Sequence, residues 1–279
     1  MVKCTIEEFH DVQLNLLKEL KRICDQNGIP YYLACGTCLG AVRHKGFIPW
    51  DYDADVYMYI DDILRLKAVS DQLSAGYFFQ DRHTDPQFNY PIFRIRDSRT
   101  TYIIEPVKEL DINHGFCIDI YPLYYYPKNA LTAHRNIIAS YVYRLLIANR
   151  PPRHHGGVIG KAGTFALKMV QGKLRENIIN MIEKWLRSPK NTDYVLTYFG
   201  LDITPLKALK YRSKWFGKPV PAAFEDCTFN LPTYPKAYLH EKYGDFMKLP
   251  PKEQQKQDFK FVVCADVHKS YLEYKGIYY

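Results

Sequence analysis

Residues 50–56 read Trp-Asp-Tyr-Asp-Ala-Asp-Val, so three aspartates occupy every second position of one short stretch. Side chains two apart on an extended strand point to the same side. Asp53 and Asp55 therefore face one way together, joined by Asp51 if the strand begins that early. Carboxylates held a few ångströms apart repel one another unless positive charge stands between them. A chain that keeps this cluster must fold so that a cation can reach it, and hard oxygen ligands of this kind suit Mg²⁺ or Mn²⁺. A further acid, Asp119, lies alone in the apolar run Gly115-Phe116-Cys117-Ile118-Asp119-Ile120-Tyr121. A lone buried carboxylate is costly, so it needs a partner. That partner is the same ion, if its strand lies beside that of Asp53, or else a core arginine.

Upstream, Gly36-Thr37 separates an apolar run, Tyr31 to Cys35, from a short helical stretch, Cys38 to Arg43. A glycine turn at a helix start presents free N–H groups to a phosphate. Alone it is ordinary turn chemistry, but a strand carrying Asp-x-Asp downstream makes it specific. Arg43, His44 and Lys45 fall between the turn and the acids. There they either neutralise a transferring phosphoryl group or are solvated loop charges.

The rest of the first half alternates helix and strand. Thr5 with Glu8 forms a capping box, and Ile6, Phe9, Val12, Leu16, Leu20 and Ile23 recur at helical spacing until Gly28 and Pro30. Asp53 to Ile60 reads as a strand, and Asp61 caps a helix running to about Leu73. Asn89 to Arg96 and Thr100 to Ile104 read as a strand pair around Asp97-Ser98, and Gly115 to Tyr121 as a strand ended by Pro122. This is an α/β (α+β) pattern around a mixed sheet. Residues 128 to 188 turn helical, broken by a loop at Arg150–Gly157, and the remainder is short elements rich in Pro, Gly and Tyr.

Composition narrows the partners. The net charge of +8 favours an anionic partner such as a nucleotide, a phosphate or an acidic lipid surface, and equally serves solubility. No basic stripe or recognition motif points to nucleic acid. No apolar run nears the roughly 20 residues of a membrane span, and the acidic start Met1–His10 is unlike a signal peptide. The expected location is cytoplasmic, with peripheral contact at the inner membrane face allowed. Seven cysteines, an odd number set mostly in apolar runs, read as reduced thiols. The Cys35/Cys38 pair has no second pair at zinc spacing. The tyrosines between Tyr121 and Tyr126 read as packing, with an aromatic box for a quaternary ammonium as the alternative.

The stretch from Gly36 through Arg43, Lys45 and Trp50-Asp51 to Asp53 and Asp55 resembles the LicD family, which belongs to the nucleotidyltransferase-fold superfamily and includes the fukutin-like proteins. Arg96-Asp97-Ser98 with Thr100 and Thr101 is similar to its second block, and Asp119 to its third acid. Trp215-Phe216, Phe224-Glu225, Pro232 and Tyr238–Asp245 are similar to its late motif. The resemblance departs at Tyr52, where the family carries an acid, at Ala54, and at residues 252–258, which lack a late histidine. It implies one LicD-like domain over 1–279: a nucleotidyltransferase-like core of mixed sheet flanked by helices (1–127), a helical segment (128–190) and a C-terminal extension packed on the core (191–279). It further implies Mg²⁺ or Mn²⁺ on Asp53, Asp55 and Asp119, Arg43 as a catalytic cation, and donor binding by Gly36, Thr37, Lys45 and Arg96. The reaction implied moves a phospho-alcohol from a CDP-alcohol, CDP-choline or similar, onto an oligosaccharide or glycolipid acceptor and releases CMP. Two rival readings differ in product: a nucleotidyltransferase releases pyrophosphate, and a non-catalytic nucleotide- or glycan-binding protein turns nothing over.

Overall fold

The first helix, α1 (Ile6–Asn27), is built as its sequence asks. Thr5 and Glu8 exchange side-chain-to-backbone hydrogen bonds of 2.8 and 3.2 Å, and Gly28 closes the helix in the left-handed region. The computed structural model describes residues 4–149, 165, 167–199, 209–255 and 261–279. The loop expected at Arg150–Gly157 lies outside the described residues, as does part of the 252–258 stretch. Contacts divide the chain into two compact units: Met1–Phe88 with Phe93–Tyr121 and Lys214–Tyr279, and Asn89–Ile92 with Pro122–Ser213.

The first unit is α/β, with a mixed sheet flanked by helices. Its strands β1 (Tyr32–Leu33), β2 (Asp55–Tyr59), β3 (Tyr77–Gln80), β4 (Phe93–Asp97) and β6 (Phe116–Tyr125) run in the order β1-β2-β6-β4-β3. Their side chains Leu33, Val56, Met58, Ile95, Ile118 and Ile120 are buried, as are Leu16, Leu20 and Ile23 of α1. Helix α2 (Cys35–Arg43) follows β1 and α3 (Ile60–Ala68) follows β2.

Several expected boundaries move. The first strand stops at Leu33 because Cys35 takes a left-handed φ of 46°, so α2 begins there and Gly36 and Thr37 lie in its first turn. Thr100 to Ile104 does not pair with the strand before it. Instead β5 (Thr101–Ile104) pairs with β9 (Val262–Asp266), while β4 lies between β3 and β6. Pro122 does not end β6, which continues to Tyr125.

In the second unit, α4 (Ala130–Ala148) is capped by Asn129 and packs on α5 (Gly172–Arg187). Asn136 donates to the Trp185 carbonyl at 3.3 Å, and Tyr143 to Glu183 at 2.9 Å. Strand β7 (Tyr194–Leu196) pairs with Tyr124 and Tyr125 on one side and with β8 (Tyr211–Arg212) on the other. Tyr124 packs on Tyr198 and Phe199, while Lys210 stands over the rings of Tyr126 and Tyr194 at 4.7 and 4.8 Å. The run Tyr124–Tyr126 is thus packing, with this chain's own lysine on an aromatic face.

Candidate active site

The sheet order places β2 next to β6, and the Asp119 N–H donates to the Ala54 carbonyl at 2.9 Å. The aspartates before and on β2 therefore meet the acid of β6. The start of α2 closes over them at the same end of β2, from the β1 side: the Ala34 N–H donates to the Asp55 carbonyl and the Asp55 N–H to Thr37 Oγ1, at 2.9 and 2.8 Å. A β-carbon on Gly36 would collide with the Asp51 carboxylate. Glycine is required here for clearance, and the first-turn N–H groups of α2 have no acceptor within the helix.

The electrostatics show what this crowding does. Burial, then repulsion from Asp119 and Asp51, pushes Asp55 up to about 8. Asp53 reaches the surface, but the packing around its carboxyl, followed by the charges of Asp55, Asp51 and Asp119, holds it well above the carboxylate range. Burial also raises Asp51, which is hydrogen-bonded to Asp53. Two carboxylates sharing a hydrogen bond is how like charges persist when protons must do the work of a cation.

Asp119 differs. The β4–β6 register sets Arg94 opposite it, and the guanidinium grips the carboxylate through Nε at 2.6 Å and Nη2 at 3.3 Å. The arginine salt bridge weighed for this residue is therefore present. Asp119 nevertheless adds its charge to the field at Asp53 and Asp55. Among the described residues, no three acidic, histidine or cysteine side chains stand close enough to enclose one ion.

Of the other expected residues, Arg96 lies nearest. Fully buried, it donates to Gln80 Oε1 at 2.6 Å and to the Gly115 carbonyl at 2.5 Å. With Arg94, Asp53, Asp119, Tyr52, Tyr102 and Gln13 it lines a cavity of about 150 Å³. Arg43 sits seven residues along α2 from Gly36, about 10 Å by helical rise, and donates to the Phe246 carbonyl at 2.8 Å. Lys45 is exposed at a left-handed turn, and its carbonyl accepts from the Glu225 N–H at 2.8 Å. Neither forms a hydrogen bond or ion pair with the acids.

Sequence reasoning missed four residues around the site. Arg94 holds Asp119. Buried Gln13 donates to the Tyr52 carbonyl at 3.1 Å, while its Oε1 is buried without a partner. The Tyr238 hydroxyl accepts from the Cys35 N–H at 3.0 Å, and His10 Nε2 bonds the Asp51 carbonyl at 2.7 Å. Gln13 left a trace, a polar residue four positions from Phe9 on the apolar face of α1. The late block acts from behind: Phe216 and Tyr238 pack edge-on against Tyr57 of β2, and Glu225 accepts from the Phe47 N–H at 2.9 Å. None of the seven cysteines forms a disulfide.

A helix start is thus seated on the strand that opens with paired aspartates, and a further acid lies on the neighbouring strand. The family model described as the LicD/FKTN/FKRP nucleotidyltransferase domain matches residues 28–142. The lipopolysaccharide cholinephosphotransferase LicD of Haemophilus influenzae is 31% identical over 271 residues, covering 92% of this chain and 96% of that protein. The ribitol 5-phosphate transferase FKRP of Mus musculus is 28% identical over 127 residues, 42% of this chain but 22% of that longer protein. The chain belongs to the LicD family and is a LicD-like transferase.

Proposed function

We propose that this protein transfers a phospho-alcohol, phosphocholine or similar, from a CDP-linked donor to a hydroxyl of a cell-surface glycan or glycolipid. One observation carries the reading: Asp51, Asp53 and Asp55 crowd a helix start with their proton affinities raised, and the relatives are named for moving cholinephosphate and ribitol 5-phosphate. The donor set fits a divalent cation. Mg²⁺ in phosphate chemistry typically takes one or two carboxylates and completes its shell with water and substrate phosphates, so Asp53 and Asp55 suffice without a three-acid cage. Bound there, such an ion supplies positive charge to the donor phosphates.

The chain's own groups do the rest. Thr37 Oγ1 fixes the backbone of Asp55, and the open first turn of α2 presents N–H groups to an anionic donor. Arg94 keeps Asp119 oriented and charge-balanced. The acceptor hydroxyl oxygen bonds to the phosphorus bearing the alcohol, and the bond from that phosphorus to the bridging oxygen breaks. CMP leaves with the electron pair, and a carboxylate of the cluster takes the hydroxyl proton.

The test is to incubate the protein with Mg²⁺, an oligosaccharide acceptor and a panel of CDP-alcohols, and to identify products by mass spectrometry. CMP formed with one donor, and lost in Asp53→Asn, is the expected result. Pyrophosphate released from CTP instead would overturn it in favour of nucleotidyl transfer.

A further inference from the structure

Charge is distributed unevenly along the chain. Residues 128–190 hold 12 of its 38 basic residues and 2 of its 30 acidic ones, so this stretch carries +10 and the remainder −2. The surplus that makes the protein basic belongs to this stretch of the second unit. There Lys128, Arg135, Lys168, Lys173 and Lys184 are exposed.

The same helices expose apolar side chains. On α4, Leu131 is 82% and Ile138 62% exposed, with Val142 beside them. Spacings of seven and four residues confine the three to an arc of about 40°. The buried residues Asn136, Ser140 and Tyr143 occupy the opposite side of the helix. On α5, Leu174 and Met181, also seven apart, are exposed, and Phe165 and Met169 precede them at 67% and 64%. Among the described residues no helix is long and apolar enough to cross a bilayer.

Nucleic acid would account for the charge but not for large aliphatic tips interleaved with it. Apolar stripes flanked by lysine and arginine are the pattern of helices that lie in a membrane interface, with tips in the acyl boundary and cations at anionic headgroups. The first unit also exposes single apolar residues, such as Leu272 and Ile277, but in a part of the chain with no positive surplus. We infer that the helical unit docks on an anionic lipid bilayer through the Leu131–Ile138–Val142 stripe of α4 and the exposed apolar and basic residues of α5. This stands independently of the reaction proposed above.

The experiment is co-sedimentation of the full chain with vesicles of phosphatidylcholine, with and without phosphatidylglycerol, at low and high salt. Binding is expected with phosphatidylglycerol, weakening with salt and much reduced on phosphatidylcholine alone. Leu131→Gln with Ile138→Gln, both at exposed positions, lowers the partition coefficient roughly tenfold, and Lys173→Glu lowers it about fivefold. Ile277→Gln leaves it unchanged. Circular dichroism confirms that each variant is folded, and transfer to a soluble acceptor sugar is retained. Equal binding to both vesicle types, full binding by the double glutamine variant, or preference for duplex DNA over vesicles would each overturn the inference.

Discussion

Glu19 and Asp81 are as deeply placed as Asp55, at 6% and 3% exposure against 8%. Burial would raise all three. At Glu19 that tendency is outweighed by Arg22, at 2.6 and 2.9 Å, and by the N–H and hydroxyl of Ser74, so its proton affinity falls below the ordinary value. At Asp81, Lys67 and the N–H groups of His83 and Thr84 do the same. Around Asp51, Asp53 and Asp55 the nearest strong neighbours are one another, and the affinities rise. Buried acids that hold the scaffold bring their own cations, whereas those of the site chiefly face one another and, in the function proposed above, take theirs from a divalent ion. Perturbation in that direction, inside a cleft, is what marks working groups.

The largest break in this contrast comes from neutralising the acids of the site. Asp53→Asn and Asp55→Asn should each lower transfer about a thousandfold or more, since a bound cation supplies several kcal/mol of charge stabilisation, while circular dichroism reports an intact fold. Stability should move oppositely. Asp55 holds its proton more tightly folded than unfolded, so stability is fully present below its unfolded value of 3.8 and is lost as pH rises through about 8. Without divalent ions, Asp55→Asn should therefore melt above wild type at pH 8, the gap closing toward pH 4. A variant that loses activity and also melts lower at pH 8 would make Asp55 a scaffold acid.

Asp119 stands between the two classes because Arg94 satisfies it. Arg94→Met should convert it into an uncompensated, half-buried acid and destabilise the protein by about 2 kcal/mol, measured by urea denaturation at neutral pH. Adding Asp119→Asn should recover much of the loss. A comparable effect is expected at the scaffold acid: Asp81→Asn removes the Lys67 pairing and weakens the turn at His83 and Thr84, for about 2 kcal/mol. Because Asp81 is lowered in the folded state, its contribution is present above its unfolded value of 3.8 and is lost as pH falls below it. The variant should thus flatten the acid limb of the stability curve.

How much of this was legible in the sequence differs between acids and cations. The Asp-x-Asp alternation, the Gly36-Thr37 turn and the lone Asp119 are local patterns, and strand periodicity carries them to one site. The cation partners are not local. Arg94 meets Asp119 only through the β4–β6 register, 25 residues apart in sequence, while Arg43, adjacent to the motif in sequence, bonds the distant Phe246 carbonyl and Lys45 holds Glu225 through its backbone. The β5–β9 pairing joins segments some 160 residues apart, beyond what periodicity can see. The left-handed Cys35, which moved the start of α2, has no composition signal because the residue is not glycine.

The smallest effect concerns a buried base rather than an acid. His114 is fully buried, its Nε2–H donates to the Leu110 carbonyl at 2.9 Å, Nδ1 has no partner, and its ring lies 4.5 Å from that of Tyr279. Burial, with some help from Arg96, pushes its affinity down to about 4 despite the carbonyl. The unfolded chain takes up the proton near 6.5 and the folded one does not, so stability is present above 6.5 and lost as pH falls toward 4. His114→Phe keeps the ring contact and forfeits one hydrogen bond, which should cost about 1 kcal/mol at pH 7.5. Between pH 6.5 and 4, however, its stability should fall less steeply than that of wild type, bringing the two curves together. Parallel curves through that interval would mean that His114 is protonated within the fold, and that the buried base, like the scaffold acids Glu19 and Asp81, has a counter-charge.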